Sequence, residues 1–216
     1  MSRGWDAIFF DLDGTLVDTT TDLRLALNRL CEERGALPVA QGEFLPYTGQ
    51  GVNKIIEKFF SLDQRSLEFK AAKTRFLDFY YAASHVNSDF FPGMLDIISA
   101  IEKLSIPWGI VTGKWRAPTL SLLDHLKLNC PCLVCGDDVS RPKPSPDPLL
   151  RAVSLSGVDS SRCVYVGDAL CDYESASLCG MEFVGVSWGY QPDMLFRSKV
   201  SHVVSSVVEL RDYLFK

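Results

Sequence analysis

The sequence reads AIFFDLDGT from Ala7 to Thr15. Its first four residues form a continuous apolar run, which is typical of a buried β-strand. Two aspartates follow where such a strand would emerge into solvent, and residues two apart in an extended chain point to the same side. We therefore expect the carboxylates of Asp11 and Asp13 to face one pocket, while Leu12 turns away into the core.

This pair of carboxylates indicates phosphoryl transfer. Two adjacent carboxylates repel each other unless a proton or a cation separates them, and their oxygens are ligands that Mg2+ prefers. One carboxylate can attack phosphorus, and the other can pass a proton. Gly14 allows a sharp turn that brings N–H groups to a phosphate, and the hydroxyl of Thr15 is another donor. The alternative is an acidic turn that caps the next helix.

Length and composition are those of an ordinary globular protein. The chain has 216 residues, of which 47% are hydrophobic and 23% charged, enough for one large domain or for a core domain with an insertion. The net charge of -5 lacks the basic surface of a nucleic-acid binder. The residues before the first strand show no secretory signal, and no apolar run is long enough to span a bilayer. We therefore expect a cytoplasmic protein that binds neither nucleic acid nor membranes.

The seven cysteines, an odd number, fit a reducing compartment better than a disulfide framework. Three of them lie in residues 130–135, which read CPCLVC and contain one CxxC. Zinc needs four ligands, and the sequence offers no second CxxC or histidine pair at suitable spacing. We interpret this segment as a short buried strand in which the cysteines act as small apolar side chains.

Residues 18–89 change to helical periodicity. Apolar residues recur at helical spacing from Leu23 and again from Ile55. We predict an all-helical insertion over 18–89, within a core domain formed by 1–17 and 90–216.

One turn of this insertion is a candidate substrate contact. The sequence TGQG places Gly49, Gln50 and Gly51 directly before a predicted helix. Such a turn is typical of a substrate-facing loop with exposed N–H groups, or of a plain connection between helices. Lys54, one turn into that helix, can reach a substrate anion or remain a surface lysine.

After Pro92, segments with strand character alternate with helical ones. Strands are predicted at 107–111, around Cys132, and at 163–166, 183–186 and 202–204. Strands that alternate with helices form a parallel sheet whose two faces are covered. We therefore predict an α/β fold around a parallel sheet.

Polar residues follow the ends of three predicted strands. Asp11, Thr112 and Asp168 each come directly after a strand, and parallel sheets bind ligands at the carboxyl ends of their strands. Thr112 and the N–H of Gly113 can donate to phosphoryl oxygens. Asp168 can complete the oxygen ligands of a metal ion. Each residue alone also fits a helix cap or a surface charge.

Two lysines and a further aspartate extend this set. Lys143 lies in a proline-rich loop, residues 141–148, and can balance the negative charge of a nucleophile and a phosphate. We predict that Lys114 binds the phosphate or another part of the substrate. Asp172 lies one helical turn after Asp168. It can contact the residues that bind the metal ion, or contact the ion through a water molecule.

Four motifs in order resemble those of the haloacid dehalogenase-like hydrolase superfamily, over nearly the whole chain. They are DLDGT at Asp11, a threonine after a strand at Thr112, a lysine at Lys143, and GDxxxD from Gly167 to Asp172. The resemblance implies a Rossmann-like core with the helical insertion as a cap domain. It also implies Mg2+-dependent hydrolysis of phosphomonoesters through an aspartyl-phosphate.

The resemblance also assigns roles to residues. Asp11 is implied to be the nucleophile, and Asp13 the general acid and then the general base. Mg2+ is implied to bind the Asp11 carboxylate, the backbone carbonyl of Asp13 and Asp168. Gly113 departs from the pattern because relatives often carry asparagine there, so a backbone donor remains while a side-chain contact is lost.

Further stretches narrow the resemblance. FPG at 91–93, KPSPDPLL at 143–150 and GVSWGY at 185–190 resemble the phosphoglycolate phosphatase group, which is also similar to N-acetylmuramic acid 6-phosphate phosphatases. These groups imply a small phosphorylated metabolite as substrate, and a monomer or homodimer. A phosphomutase and a non-catalytic binding protein remain as alternatives.

Overall fold

The computed structural model describes residues 4–83, 85–190 and 194–216, apart from the side chains of Gln50, Met194 and Leu195. The chain divides into two compact units. We call them the core unit (Met1–Asp18 and Phe90–Lys216) and the helical unit (Thr19–Asp89). In the described part of the chain, no helix combines the length and the apolar character needed to cross a membrane.

The described chain contains eight strands, ten α-helices and two 3-10 helices. The strands are β1 (Ala7–Phe10), β2 (Val17–Asp18), β3 (Asp89–Phe90), β4 (Trp108–Val111), β5 (Leu133–Val134), β6 (Cys163–Gly167), β7 (Glu182–Val186) and β8 (Val203–Val204). The α-helices are α1 (Thr20–Glu33), α2 (Gln41–Phe44), α3 (Val52–Phe60), α4 (Leu67–Ala83), α5 (Met94–Lys103), α6 (Arg116–His125), α7 (Asp147–Ser156), α8 (Leu170–Leu178), α9 (Met194–Lys199) and α10 (Val207–Phe215). Two 3-10 helices are Leu45–Gln50 and Ser160–Arg162.

The core unit is built on a six-stranded sheet with the order β5-β4-β1-β6-β7-β8. Every neighbouring pair in this sheet is parallel. β2 and β3 form a separate two-stranded sheet. The predicted α/β fold around a parallel sheet is therefore confirmed.

Alternate residues of β1 face opposite sides of the sheet, and each side has its own hydrophobic core. Ile8 and Phe10 belong to a cluster that includes residues of α5, α6 and α10. Ala7 and Phe9 belong to a second cluster that includes residues of α7, α8 and α9. Helices on both faces explain why all four residues of β1 are apolar and fully buried.

The strand order places a ligand-binding crevice at the end of β1. The chain runs from β1 to β4 and β5 on one side, and then returns to β6, β7 and β8 on the other. Connections that run to opposite sides leave a crevice beyond the carboxyl ends of the two strands where they diverge. Phe10 at the end of β1 lies opposite Ile110 of β4 and Val166 of β6. Residues that follow these three strands are therefore brought to one edge.

The helical unit has a separate hydrophobic core, in which α1 packs against α4. Leu27, Ile56 and Phe76 are fully buried in it. Its last helix is continuous over 17 residues, where the sequence predicts one or two helices. The buried carboxylate of Asp22 accepts hydrogen bonds from the backbone and side chain of Asn87, and thereby ties the start of α1 to the end of the unit.

Several element limits differ from the sequence-based prediction. The proline-rich sequence predicts a helix over 149–156, whereas α7 begins at Asp147, because a proline in the first helical turn loses no hydrogen bond. α2 and α9, of four and six residues, are too short to show helical periodicity. α10 was predictable, since its N-cap Ser206 accepts from the N–H of Glu209 in a Ser-x-x-Glu pattern.

Candidate active site

The structure brings the predicted core-unit residues to one edge of the sheet. Asp11, Thr112 and Asp168 directly follow β1, β4 and β6, which are neighbours in the sheet. All three residues are buried, although polar residues of these types are mostly exposed. Buried polar groups need partners, and those partners define the site.

The ammonium of Lys143 lies at the centre of these partners. Its Nζ lies 2.9 Å from Oδ1 of Asp11 and 2.6 Å from Oδ1 of Asp172. It also donates to the hydroxyl of Tyr165 at 2.9 Å and to the carbonyl of Val111 at 3.4 Å. We call Lys143, Asp11, Asp172 and Tyr165 the Lys143 cluster.

The loop that carries Lys143 is fixed to its surroundings. The N–H of Ser145 donates to the carbonyl of Pro142 at 2.9 Å, which closes a turn around the lysine. The hydroxyl of Ser175 on α8 donates to the carbonyl of Ser145 at 2.7 Å. These contacts place Lys143 without a strand or helix of its own, as the proline-rich sequence predicts.

The carboxylates of the site have raised pKa values. Burial raises the pKa of Asp11 to about 8; Lys143 lowers it, and the charges of Asp172 and Asp168 raise it. Burial also raises the pKa of Asp168 to about 7, and Asp172 adds to that shift. Burial lowers the pKa of Lys143, but the attraction of Asp11 and Asp172 outweighs it and holds that pKa well above its usual value. The site therefore contains more carboxylates than one ammonium neutralises.

This excess of carboxylate fits a metal ion. Asp11, Asp168 and Asp172 each offer an oxygen, and these oxygens lie within 4.8 Å of one another. Clustered carboxylate oxygens are the donors that hard divalent cations take, and a cation would favour the charged carboxylates against the burial and the mutual repulsion that raise the two pKa values. The buried aspartate group could therefore bind a metal ion.

Asp168 is held by groups on two loops. Its Oδ1 accepts from the hydroxyl of Thr15 at 3.2 Å, and its Oδ2 accepts from the N–H of Tyr190 at 2.6 Å. Gly189 packs so closely on Asp168 and Gly14 that any Cβ there would overlap them. The loop after β7 thus fixes the orientation of the Asp168 carboxylate.

The turn after Asp13 differs in one respect from its prediction. The sequence predicts Gly14 and Thr15 as donors to a phosphate, but the N–H of Gly14 donates to Val17 and the N–H of Thr15 to Leu12. The hydroxyl of Thr15 donates to Asp168. These donors are engaged because the turn closes on itself, so a contact with phosphate stays a prediction. Gly14 is required for another reason, since it has a φ of 86° and leaves no space for a Cβ beside Asp168.

The residues after β4 lie close to Asp13. The hydroxyl oxygen of Thr112 accepts from the N–H of Lys114 at 3.1 Å. The ammonium of Lys114 lies 3.1 Å from Oδ1 of Asp13. Gly113, between them, has open space where a Cβ would stand. Lys114, predicted to contact a phosphate or substrate, is therefore paired with Asp13.

The candidates in the helical unit occupy a different local structure from the predicted turn. Gly49 and Gln50 belong to a 3-10 helix, and Gly51 is the N-cap of α3 with a φ of 82°. The Gln50 side chain lies outside the described part of the structure. Lys54 forms an exposed ion pair with Glu57 at 2.9 Å. Contact of these residues with a substrate stays a prediction.

Sequence reasoning missed two parts of the site. Tyr165 lies within the apolar run of β6, where an aromatic residue is normally interpreted as core. Its hydroxyl donates to the carbonyl of Val111 at 2.7 Å, which leaves an oxygen lone pair for Lys143. The sequence of the loop containing Tyr190 resembles a family group but does not predict its contact with Asp168. This contact is made by a backbone N–H, which no residue type reveals.

The fold and the site now define the class of the protein. The sequence model of the haloacid dehalogenase-like hydrolase family matches residues 8–186. The chain therefore belongs to this family, and the resemblance drawn from its four motifs is confirmed.

Relatives of known name extend the comparison. The chain is 34% identical over 187 residues to the N-acetylmuramic acid 6-phosphate phosphatase of Pseudomonas aeruginosa, covering 85% of this chain and 82% of that protein. It is also 34% identical over 188 residues to the phosphoglycolate phosphatase of Xanthomonas campestris pv. campestris, covering 86% and 84%. A haloacid dehalogenase-like hydrolase of Streptococcus pneumoniae has the same fold, with a TM-score of 0.83, 22% identity and 99% coverage of both chains.

Proposed function

We propose that this protein is a Mg2+-dependent phosphatase that hydrolyses a small phosphomonoester through an aspartyl-phosphate on Asp11. The observation that carries the proposal is the position of the Asp11 carboxylate. It lies 2.9 Å from the ammonium of Lys143, within a group of buried carboxylates that fits a cation. A nucleophile, a counter-charge and metal-binding oxygens are the parts that phosphoryl transfer needs.

In the first step, an oxygen of Asp11 attacks phosphorus. A bond forms between this oxygen and phosphorus while the bond from phosphorus to the leaving oxygen breaks. Asp13 gives its proton to the leaving oxygen, so that the product departs as an alcohol. The hydroxyl of Thr112 and the N–H of Gly113 donate to the phosphoryl oxygens, and Lys143 balances the charge that Asp11 and the phosphate bring together.

In the second step, water gives a proton to Asp13 and attacks phosphorus. The bond between phosphorus and Asp11 breaks, which releases inorganic phosphate and restores both aspartates. The carboxylates of Asp11 and Asp168 and the backbone carbonyl of Asp13 would hold Mg2+, which would supply positive charge to the phosphoryl group. Asp172, whose Oδ1 lies 2.6 Å from the ammonium of Lys143, holds that ammonium in place.

The helical unit, predicted over 18–89, acts in this proposal as the cap domain, and 1–17 with 90–216 as the catalytic domain. The cap selects the substrate, with Gly49, Gln50 and Gly51 as its candidate contacts. Phosphoglycolate is the first candidate substrate and N-acetylmuramic acid 6-phosphate the second; relatives at 34% identity carry both names. The seven cysteines are free thiols, which supports a cytoplasmic location.

Phosphate release from a panel of esters tests the proposal. The panel contains phosphoglycolate, N-acetylmuramic acid 6-phosphate, simple sugar phosphates and nucleotides, each with Mg2+ and with EDTA. We expect release that EDTA abolishes and that added Mg2+ restores, with one of the first two esters preferred.

Two other outcomes would contradict the proposed activity. Release from none of the esters contradicts the proposal and favours a binding protein. Isomerised sugar phosphate without free phosphate indicates a phosphomutase instead.

A further inference from the structure

We infer that Lys114 is a positioning residue that holds the Asp13 carboxylate in the orientation for proton transfer to the leaving group. This inference rests on the proposed function, and it replaces the predicted contact of Lys114 with a phosphate. The ammonium of Lys114 lies 3.1 Å from Oδ1 and 3.5 Å from Oδ2 of Asp13. A donor close to both oxygens restricts rotation of the carboxylate about its own axis.

The sheet register explains how the two residues meet. β1 and β4 are parallel neighbours, and Phe10 lies opposite Ile110. Asp13 follows the end of β1 and Lys114 follows the end of β4, so both side chains begin at the same edge although they are 101 residues apart. The hydrogen-bonded strands thus bring the two segments that carry Asp13 and Lys114 next to each other.

The backbone of Lys114 is fixed at both ends. Its N–H donates to the hydroxyl oxygen of Thr112 at 3.1 Å, and its carbonyl accepts from the N–H of Gly136 at 2.9 Å. A Cβ at Gly136 would overlap the carbonyl of Gly113, so the segment after β4 packs directly on the segment after β5. A fixed backbone lowers the entropy that the long lysine side chain loses when it binds one partner.

The exposure of the pair shows which member faces outward. The side chain of Lys114 is 6% exposed, and that of Asp13 is 25% exposed. The lysine therefore supports the carboxylate from the protein side, while the carboxylate retains access to solvent.

The two lysines of the site pair with different carboxylates. Lys143 lies against Asp11 and Asp172, where negative charge has to be balanced. Lys114 lies against Asp13, which has to present a proton to one particular oxygen. Loss of Lys114 should therefore affect the delivery of the proton more than the attack on phosphorus.

Leaving groups of different basicity separate these two effects. An alkoxide needs a proton in order to leave, whereas 4-nitrophenolate leaves without one. The value of kcat/KM reports the steps up to departure of the leaving group, and it does not depend on later hydrolysis of the intermediate. Lys114→Met is compared with wild type on 4-nitrophenyl phosphate and on the faster of phosphoglycolate and N-acetylmuramic acid 6-phosphate.

We expect Lys114→Met to lower kcat/KM for the alkyl ester by about 100-fold, and that for the nitrophenyl ester by less than about threefold. Lys114→Arg keeps the cation and should recover part of the loss. In the double variant with Asp13→Asn, Lys114→Met should cause little further loss, because its partner is already neutral. Lys216→Met, at an exposed lysine that pairs with Asp212 on α10, is the matched control and should leave the ratio of the two esters unchanged.

Equal losses for the two esters, or a rise in KM alone, would overturn the inference and assign Lys114 to substrate binding. Thermal unfolding shows whether Lys114→Met is folded; if it is not, Lys114→Gln is assayed with the same criteria. Wild-type protein that hydrolyses neither ester overturns the proposed function, and the inference with it. If wild type hydrolyses both esters and the Lys114 variants keep the wild-type ratio of kcat/KM for the two esters, only the inference about Lys114 is overturned.

Discussion

The Lys143 cluster and the Lys114–Asp13 pair both join a lysine to an aspartate of the DLDGT motif, but their surroundings differ. The side chains of Lys143, Asp11 and Asp172 are 7%, 12% and 0% exposed, and the cluster continues to a buried tyrosine. Asp13 is 25% exposed and has solvent on one side. Two carboxylates two residues apart in sequence are thus placed in a dry environment and in a partly wet one.

The difference corresponds to what each carboxylate has to do. A nucleophile has to be charged, aligned and free of water. Lys143 favours the charged form of Asp11 against the effect of burial, and a bound cation would favour it further. A proton donor and acceptor has to exchange protons with a leaving group and later with water, and this requires access. The comparison predicts that changes in the Lys143 cluster affect stability and turnover together, while changes in the pair affect turnover.

Asp11→Asn is expected to have the largest effect on turnover. It removes the nucleophilic charge at almost constant volume, so we expect the fold to remain and kcat to fall by about 10^4-fold or more. The loss should be the same for alkyl and nitrophenyl esters, because attack on phosphorus is needed for both. Steady-state kinetics and circular dichroism measure the two properties. Turnover near that of wild type would refute the site. Asp13→Asn is the control, since its loss in kcat/KM should be confined mainly to alkyl esters.

Lys143→Met tests the buried side of the comparison. The change leaves Asp11 and Asp172 buried without their cation, so we expect the free energy of unfolding to fall by about 3 kcal/mol and turnover to fall with it. Urea unfolding at pH 7 in EDTA measures the first effect. The control is Lys54→Met, where the ion pair with Glu57 is about half exposed on each side and should contribute less than about 1 kcal/mol. Equal effects of the two substitutions would contradict the assignment of Lys143 to a buried cluster.

The raised pKa values of Asp11 and Asp168 predict how stability depends on pH. Their folded pKa values of about 8 and about 7 exceed the ordinary value of 3.8, so the unfolded chain releases these protons at lower pH than the folded one. Their contribution to stability is therefore present below pH 4 and is lost as the pH rises through 7 and 8. In EDTA, Tm should fall between pH 5 and pH 8.

Mg2+ should reverse this loss. A cation replaces the proton as the group that separates the carboxylates, so the increase in Tm on adding Mg2+ should grow from pH 5 to pH 8. Differential scanning fluorimetry measures both series. Asp168→Asn should weaken the response to Mg2+. A Tm that is independent of pH in EDTA, or an effect of Mg2+ that is largest at pH 5, would contradict the assignment of these carboxylates to a common cation site.

Tyr165→Phe is expected to have the smallest effect. It removes one of the oxygens that accept from Lys143 and keeps the ring that packs near Phe183. We expect a loss of about 1 kcal/mol in the free energy of unfolding and a fall in kcat below about tenfold, with KM unchanged. Phe183→Leu changes the same packing without a polar group, and it should affect stability but not kcat. An unchanged kcat in Tyr165→Phe would show that the hydroxyl does not position Lys143 for catalysis.

Much of the fold could be predicted from the sequence because its local patterns agree with its tertiary structure. The apolar run before Asp11 is continuous because β1 is covered on both faces, and the alternation of strands and helices follows from a parallel sheet. The positions of Asp11, Thr112 and Asp168 after their strands were predictable for the same reason. α2 and α9 were not, since helices of four and six residues carry too little periodicity.

The sequence alone predicts which chemical groups are available and which strand ends carry them. It placed Asp11 and Asp13 two residues apart at the end of a strand, because the period of an extended chain is a local property. The fold as a whole sets which lysine pairs with which aspartate, brings Thr15 to Asp168 from 153 residues away, and places the Tyr165 hydroxyl in the site. These contacts join segments that are distant in the chain, and burial of the sheet edge, rather than any local preference, brings them within hydrogen-bonding distance.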